Sequence, residues 1–287
     1  MNKDILVTGA DGFIGKHLLA SLDKRAQPLD RRYTLPPERF KAIVHLGALT
    51  RGSFPDQIQA NVTGTAHLLE AIAKLPDPKP KLIFASTFGV YTSQNITITE
   101  STPAAPASNN TYGLTKRWAE QAIEHYSHIP SVILRFANVY GEGMPPNSHS
   151  VLSTFVYKIV NHEELIINRD GSQKRDFIHI KDVVTAITKA IDTDTPTEKP
   201  LIINICSGTP VSLKELILKI EALTGKNALI KYNKDAQESG FWIGSNQVAK
   251  EILGWKPKVE LTTGLRSTIN WMQTNAHSHP HAQLSEK

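Results

Sequence analysis

The stretch "ILVTGADGFIGKHLLASL", residues 5–22, constrains the fold of this chain more than any other. An apolar run passes through a glycine-bearing turn directly into an amphipathic helical pattern, and that progression recurs. "KAIVHLGA" (41–48), "KLIFAST" (81–87) and "SVILRFANVYG" (131–141) are apolar enough to be buried strands. "IQANVTGTAHLLEAIAKL" (58–75) and "YGLTKRWAEQAIEHYS" (112–127) carry the helical period between them. Continuous hydrophobic strands alternating with helices predict an α/β fold, a doubly wound and mostly parallel sheet covered on both faces.

The second half is more mixed. "STFVYKIVNHEE" (153–164) reads as a helix and "ELIINRDG" (164–171) as strand and turn. "RDFIHIKDVVTAITKAI" (175–191) is a strand end leading into a helix, "PLIINICSG" (200–208) a buried strand, and "SLKELILKIEALTG" (212–225) a helix closed by Gly225. Helices over 245–255 and 261–272 complete the pattern. The tail 274–287 has no apolar period and is expected to be disordered. Its His277, His279 and His281 read as solvated residues ahead of weak metal ligands, so no metal centre is expected.

The connection after the second strand is short. Only residues 31–41, including Pro36-Pro37, separate Asp30 from Ala42, whereas a parallel crossover takes a dozen residues or more. Extended, they reach about 36 Å. Passing one neighbouring strand and returning down its length needs only about 22 Å. The usual third strand and its helix are therefore expected to be missing, with the second strand left at the sheet edge.

Composition narrows the setting. The net charge of +5 comes without a dense Lys/Arg run, which fits a small anionic ligand better than nucleic acid. The single Cys206 excludes a disulfide framework and a cysteine-rich zinc site. No apolar run approaches the roughly 18 residues of a membrane span. The first strand begins almost at once, leaving no room for a leader, so a cytoplasmic protein is expected.

"TGADGFIG" places Gly9, Gly12 and Gly15 between strand and helix. Glycines there permit a tight turn and close approach to a pyrophosphate, and the helix N-terminus offers unpaired N–H groups to phosphate. Asp30 lies where the second strand ends, placed to accept the ribose hydroxyls of NAD. Arg31 and Arg32 follow, and a guanidinium there suits the 2′-phosphate of NADP. The choice between NAD and NADP stays open, as does a merely solvated turn. Tyr112 and Lys116 stand at i and i+4 on one helical face. A free phenol with a pKa of about 10 is a poor base. An adjacent ammonium favours the phenolate.

Together these motifs, with "NVTGT", "GSQKRDFIHIKDV", "INICSG" and "LGWKPKVEL" in order, make the chain resemble the extended short-chain dehydrogenase/reductase family, in particular its nucleotide-sugar epimerases, dehydratases and ketoreductases. The match runs from about Lys3 to Trp271. It implies an NAD(P)-binding Rossmann domain over 1–140, to which 176–208 return, and a substrate domain over 141–175 and 209–273. Cofactor contacts are implied for Gly9, Gly12, Phe13, Ile14, Gly15, Asp30, Arg31, Leu46, Gly47, Ala48, Tyr112 and Lys116. Tyr112 would exchange a proton with the sugar, Lys116 would hold the nicotinamide ribose, and Thr87 would steady the reacting oxygen, with Ser86 as its alternative. Asn138 and Arg175 correspond to contacts with the substrate phosphates, and Asp176 is placed to brace Arg175. Arg135 reads as structural and His179 as a packed strand-end residue. The family also implies a homodimer through helices 58–74 and 112–127.

The departures select among reactions. Phe88 and Gly89 stand where family dehydratases carry an acidic pair, which disfavours 4,6-dehydration. Phe88 also replaces the cysteine of the 3,5-epimerase/4-reductase branch, although His149 falls near the place of its histidine. An arginine-bearing segment of the family is replaced by "YNKDAQESGFWIGSN", where Lys234 would substitute for the arginine or Trp242 would stack on a base, so the nucleotide stays open. Hydride transfer at C4 of a nucleotide sugar remains. The trimmed cofactor domain and Arg31-Arg32 favour a 4-ketoreductase using exchangeable cofactor; the alternative is an NAD-dependent 4-epimerase. A non-catalytic dinucleotide-binding module on the same fold is the third reading.

Overall fold

A computed structural model describes residues 3–92, 96–145, 150–196, 198–236 and 243–275. The first half runs β1 (Ile5–Thr8), α1 (Phe13–Leu22), β2 (Ala26–Pro28), β3 (Ala42–His45), α2 (Phe54–Gln57), α3 (Gly64–Ala73), β4 (Lys81–Thr87), β5 (Thr97–Ile98), α4 (Thr111–His125), β6 (Ser131–Phe136) and β7 (Asn138–Tyr140). The second runs α5 (Val151–Val160), β8 (Glu164–Asn168), β9 (Lys174–His179), α6 (Ile180–Asp192), β10 (Leu201–Ile205), β11 (Pro210–Ser212), α7 (Leu213–Thr224), β12 (Leu229–Asn233), β13 (Ile243–Gly244), α8 (Gln247–Leu253) and α9 (Leu261–Asn275).

Six strands form one parallel sheet in the order β10-β6-β4-β3-β1-β2. β1, β3 and β6 are buried at every residue, as their unbroken apolar sequences require of strands covered on both faces. Successive side chains divide between two cores. Ile5 and Val7 pack with Leu18 and Ile187 of α1 and α6, while Leu6 packs with Leu68 and Ile123 of α3 and α4. The chain leaves β1 for β2 on one side and crosses to β3 on the other, so the two arms of the sheet separate above the C-terminal end of β1. Ligands bind at such switch points in open α/β sheets.

β2 is the sheet edge, and among the described residues no strand lies beyond it. Its flank is not bare. Tyr33, in a left-handed conformation (φ 52°), turns its ring edge-on to His45 at 6.0 Å. With Leu35 and Phe40 it packs on the α3–α4 core. Three side chains cover the flank that a further strand and helix would otherwise cover.

Three expected elements are interrupted. "SVILRFANVYG" is two strands: β6 stays in the large sheet, Ala137 donates to Ile205 O (3.0 Å), and β7 pairs with β9 in a second sheet, β11-β9-β7. The helix expected over 58–75 is preceded by α2 and passes through a π-helical segment, Ile58–Thr63, before α3. The helix expected over 153–164 stops at Val160, and Glu164 already belongs to β8.

A separate core joins α5, β8, α7 and α9 through Leu152, Phe155, Leu165, Ile217, Leu265 and Ile269. Part of the basic surplus is spent at helix C-termini. Lys79 donates to Ala73 O of α3 (2.9 Å), Lys81 to Ile191 O of α6 (3.0 Å), and Lys189 to Leu253 O of α8 (3.1 Å), where the helix dipole favours cations. No helix among the described residues is long and apolar enough to cross a membrane.

Candidate active site

The glycine turn is shaped by contacts that admit no side chain. Gly9 has φ +64°, and a Cβ there would stand 2.7 Å from the amide nitrogen of Gly47. A Cβ on Gly15 would collide with the carbonyl oxygen of Gly9. Gly12 donates to Gly9 O at 3.0 Å and forms the N-cap of α1 without a side-chain cap. Lys16 N takes Gly12 O at 3.0 Å, leaving the amides of Phe13, Ile14 and Gly15 without intrahelical acceptors, and no acidic residue lies in that first turn. Such a backbone cradle fits the pyrophosphate of a dinucleotide. Leu46 and Gly47 lie directly against the turn, Leu46 N donating to Thr8 O at 3.3 Å, and Ala48 follows on the exposed rim.

A buried hydrogen-bond chain supports this cradle. Thr65 Oγ1 donates to Asn61 O (2.6 Å), so His45 Nε2 donates to Thr65 Oγ1 (3.1 Å) and Nδ1 accepts from Thr8 Oγ1 (2.6 Å). The network thereby assigns a neutral Nε2–H tautomer. Burial, then the Lys116 charge, pushes the His45 pKa down to about 3. Asn61, in the π-helical segment, donates to Leu49 O and to Thr115 Oγ1 of α4 and accepts from Leu49 N.

Asp30 lies just past β2 and is already engaged. Oδ1 accepts Arg32 N at 3.0 Å, and Oδ2 accepts Arg32 Nε at 3.1 Å and Nη2 at 2.9 Å. The fork holds the Asp30 carboxyl below its usual range. Arg31 is exposed beside it. Acid and arginines thus form one cluster, in which a positive charge is in excess.

Tyr112 and Lys116 occupy the first two turns of α4. Asn110 caps that helix, accepting Gly113 N at 2.9 Å and donating Nδ2 to Gly89 O at 3.0 Å. A Cβ on Gly113 would collide with the same Gly89 oxygen. The phenol-bearing turn is therefore docked on the loop that follows Thr87. Lys116 is 1% exposed, with Nζ 3.8 Å from the centroid of the Phe84 ring. In this arrangement burial is what shifts both groups. Burial pushes Tyr112 up to about 12 and Lys116 down to about 7, with Glu120 opposing the second shift. No hydrogen bond joins the two groups among the described residues.

Thr87 lines a cavity of about 270 Å³ with Phe88, Gly89, Phe136, Ala137, Asn138 and Arg175. Its Oγ1 also accepts Gly89 N at 3.1 Å, which shapes the turn beyond the strand. Ser86 is a correction: strand alternation carries it to the other face, where it is 4% exposed and donates to Glu120 Oε1 at 2.6 Å. It cannot also serve the cavity. Asp176 is a second correction. Adjacent residues of β9 face opposite ways, so Arg175 lines the cavity while Asp176 accepts Ser207 N, Ser207 Oγ and Gly208 N at 2.7–2.9 Å. Burial raises the Asp176 carboxyl to about 6 against those hydrogen bonds.

Asn138 donates to Asp176 O at 2.9 Å from the cavity wall. Arg135 is structural, forking onto Glu120. His179 is packed edge-on to Tyr140 at 5.1 Å, with Nε2 3.2 Å from Glu142. Lys234 sits on an exposed turn after β12. His149, Trp242 and the tail histidines lie outside the described residues. Asn110, Asn61 and Glu120 were not singled out from sequence. Asn110 carried a signal as an asparagine immediately before a helix, and Glu120 as the i+4 neighbour of Lys116.

Residues 31–206 match the NAD dependent epimerase/dehydratase family, and the chain belongs to it. It is 30% identical to a putative UDP-glucose 4-epimerase of Methanocaldococcus jannaschii, over 94% of this chain and 99% of that one. The UDP-glucuronic acid 4-epimerase of Bacillus cereus, solved with UDP-glucuronic acid and NAD, superposes with a TM-score of 0.82 at 26% identity, over 94% of this chain and 99% of that one. The UDP-glucose 4-epimerase of Thermotoga maritima, solved with UDP-glucose, gives 0.81 at 26% identity, covering 96% and 100%. The protein is an extended short-chain dehydrogenase/reductase enzyme with the NAD-dependent nucleotide-sugar chemistry of that group.

Proposed function

We propose that this enzyme interconverts C4 epimers of a UDP-hexose with retained NAD, rather than reducing a 4-keto sugar with exchangeable cofactor. The observation that carries the reading is the docking of the Tyr112–Lys116 turn of α4 on the loop after Thr87, beside a glycine cradle fit for a dinucleotide. The choice of epimerisation is supported by relatives that bear that name. The argument for a reductase from loose cofactor holding weakens as well, since Tyr33, Leu35 and Phe40 close the flank beside β2.

Bound NAD supplies an acceptor that keeps the electron pair taken from C4 and returns it to either face. Tyr112 takes the C4 hydroxyl proton as the keto sugar forms and gives it back when the sugar is reduced again. With its phenol pushed up to about 12, Tyr112 needs the charged form of Lys116 to reach phenolate near neutral pH. Thr87 hydrogen-bonds the same oxygen. Phe88 and Gly89 offer no acid or base for elimination, so water is retained. A UDP-uronic acid is the second substrate reading, favoured by the similarity to a UDP-glucuronic acid 4-epimerase, with Arg175 among the residues lining the same cavity as Thr87.

The test is conversion of UDP-glucose to UDP-galactose, and of UDP-glucuronate to its C4 epimer, without added cofactor. Tyr112→Phe is expected to lower kcat by about 10²- to 10⁴-fold with little change in KM. Stoichiometric NAD(P)H oxidation by a UDP-4-keto-sugar, with no epimerisation of either 4-hydroxy sugar, would restore the reductase.

A further inference from the structure

One turn beyond Lys116 and two beyond Tyr112, on the same face of α4, Glu120 is completely buried. A buried carboxylate is costly unless its acceptors are filled, and these are filled from three elements. Oε1 accepts Ser86 Oγ at 2.6 Å and Arg135 Nε at 2.9 Å. Oε2 accepts Arg135 Nη2 at 2.7 Å and Arg117 Nη1 at 3.2 Å. Ser86 and Arg135 are register partners on β4 and β6, and Ser86 immediately precedes Thr87. The other side of Arg135 donates to Tyr91 Oη at 2.8 Å, and Tyr91 donates to Asn204 of β10 at 2.9 Å. Glu120 is the point at which α4 is bonded to the strands behind the cavity.

Lys116 depends on the same group. It makes no hydrogen bond to a described residue and rests on the Phe84 ring. His45, which faces it from β3, is neutral, and so is Tyr112 on its own helix. Arg135 on β6 and Arg117 on α4 are cations. Glu120 is the anion that opposes the loss of its proton.

We propose that Glu120 is a positioning residue of this site: through Ser86 it sets the strand of Thr87 against the turns carrying Tyr112 and Lys116, and as the buried carboxylate one helical turn from Lys116 it is the counter-charge of that ammonium. The proposal rests on the catalytic roles read for those three residues. A purely structural ion pair would stabilise the fold and do neither.

The test uses full-length Glu120→Gln and Ser86→Ala. The measurements are NAD⁺ affinity against pH by calorimetry, urea unfolding, and kcat and KM wherever the unaltered chain turns over UDP-glucose. In the unaltered chain NAD⁺ affinity is expected to fall above pH ~7 as Lys116 loses its proton. In Glu120→Gln that fall moves to lower pH, leaving affinity at pH ~7.5 about fivefold to tenfold weaker, and Glu120→Asp restores the profile. Ser86→Ala keeps both the ion pair and the pH profile, but lowers kcat about fivefold with KM within about twofold. Glu120→Gln that unfolds more easily yet keeps the parent's pH profile overturns the proposal. So does Ser86→Ala with unchanged kcat, which remains decisive if Glu120→Gln does not fold. Absence of sugar-nucleotide turnover in the unaltered chain would instead sink the reaction proposed, while the NAD⁺ profile still decides on Glu120.

Discussion

Two carboxylate–guanidinium forks of similar length differ in make-up: Arg135 bonds both oxygens of Glu120, whereas Arg32 puts both donors on Asp30 Oδ2. Arg135 places Nε and Nη2 on Glu120 at 2.9 and 2.7 Å; Arg32 places the same atoms on Asp30 at 3.1 and 2.9 Å. The first pair is 2% and 0% exposed by side chain, the second 86% and 48%. Distance alone would make them nearly equivalent, and solvent separates them most. In the buried fork neither ion can recover hydration when its partner is lost, so the pair is fixed and carries α4 with it. In the exposed fork water and salt replace either partner at little cost, so the pair is adjustable and available to a ligand.

The largest effect expected from that difference is on stability. Arg135→Ala leaves Glu120 buried with only the Ser86 hydroxyl and the more exposed Arg117 as partners and deprives Tyr91 of a donor. It is predicted to cost about 3–5 kcal/mol, read as a fall in the urea midpoint. The paired change Glu120→Met with Arg135→Met is predicted to recover most of that loss, because it removes both charges at once. A cost below about 1 kcal/mol for Arg135→Ala would place the buried fork in the exposed class.

The two forks were not equally legible in the sequence. "LDRR" announces charge at a strand end, so Asp30, Arg31 and Arg32 could be named, although not that Arg32 would turn back onto Asp30. Glu120 reads as an ordinary helical glutamate, and only the burial of its whole face distinguishes it. The strands were legible because β1, β3 and β6 are apolar on both faces. The short 31–41 connection likewise foretold β2 as the edge. The change of sheet at Ala137 was hidden, because pairing with β9, some forty residues away, decides it. Ser86 and Asp176 take the faces that period-two alternation gives them, opposite Thr87 and Arg175, which correspondence with the family does not show.

Lys116 is as buried as the first fork but makes no hydrogen bond to a described residue, and its effect should be intermediate in size. Its folded pKa of about 7 lies below the ordinary value of 10.5, so between those pH values the unfolded chain binds the extra proton. The penalty is therefore complete below pH ~7 and fades as pH rises toward ~10. Lys116→Met is predicted to be more stable than the parent by about 2 kcal/mol at pH ~6.5, the lost Phe84 contact offsetting part of the gain. The two should converge near pH ~10, with activity lost throughout. Urea midpoints at pH ~6.5 and ~9.5 decide it; a difference independent of pH would mean that Lys116 keeps its ordinary pKa in the folded chain and stays charged there.

The smallest expected effect is at the exposed fork, where it falls on ligand choice rather than on folding. Arg32 both neutralises Asp30 and, with Arg31, leaves a positive excess where an adenosine 2′ substituent would lie. Asp30 retains acceptor capacity for a ribose hydroxyl, and the loosely held guanidinium can swing to a phosphate, so the site is predicted to bind NADP⁺ within about tenfold of NAD⁺. Arg32→Gln should weaken NADP⁺ about fivefold while NAD⁺ changes less than about twofold, and raising the salt should shrink the difference between the two cofactors. Calorimetric titration with both cofactors at low and high salt measures this, and the urea midpoint should not move. If Arg32→Gln instead lowered stability as Arg135→Ala does, or left the cofactor ratio untouched, exposure would not be what distinguishes the forks.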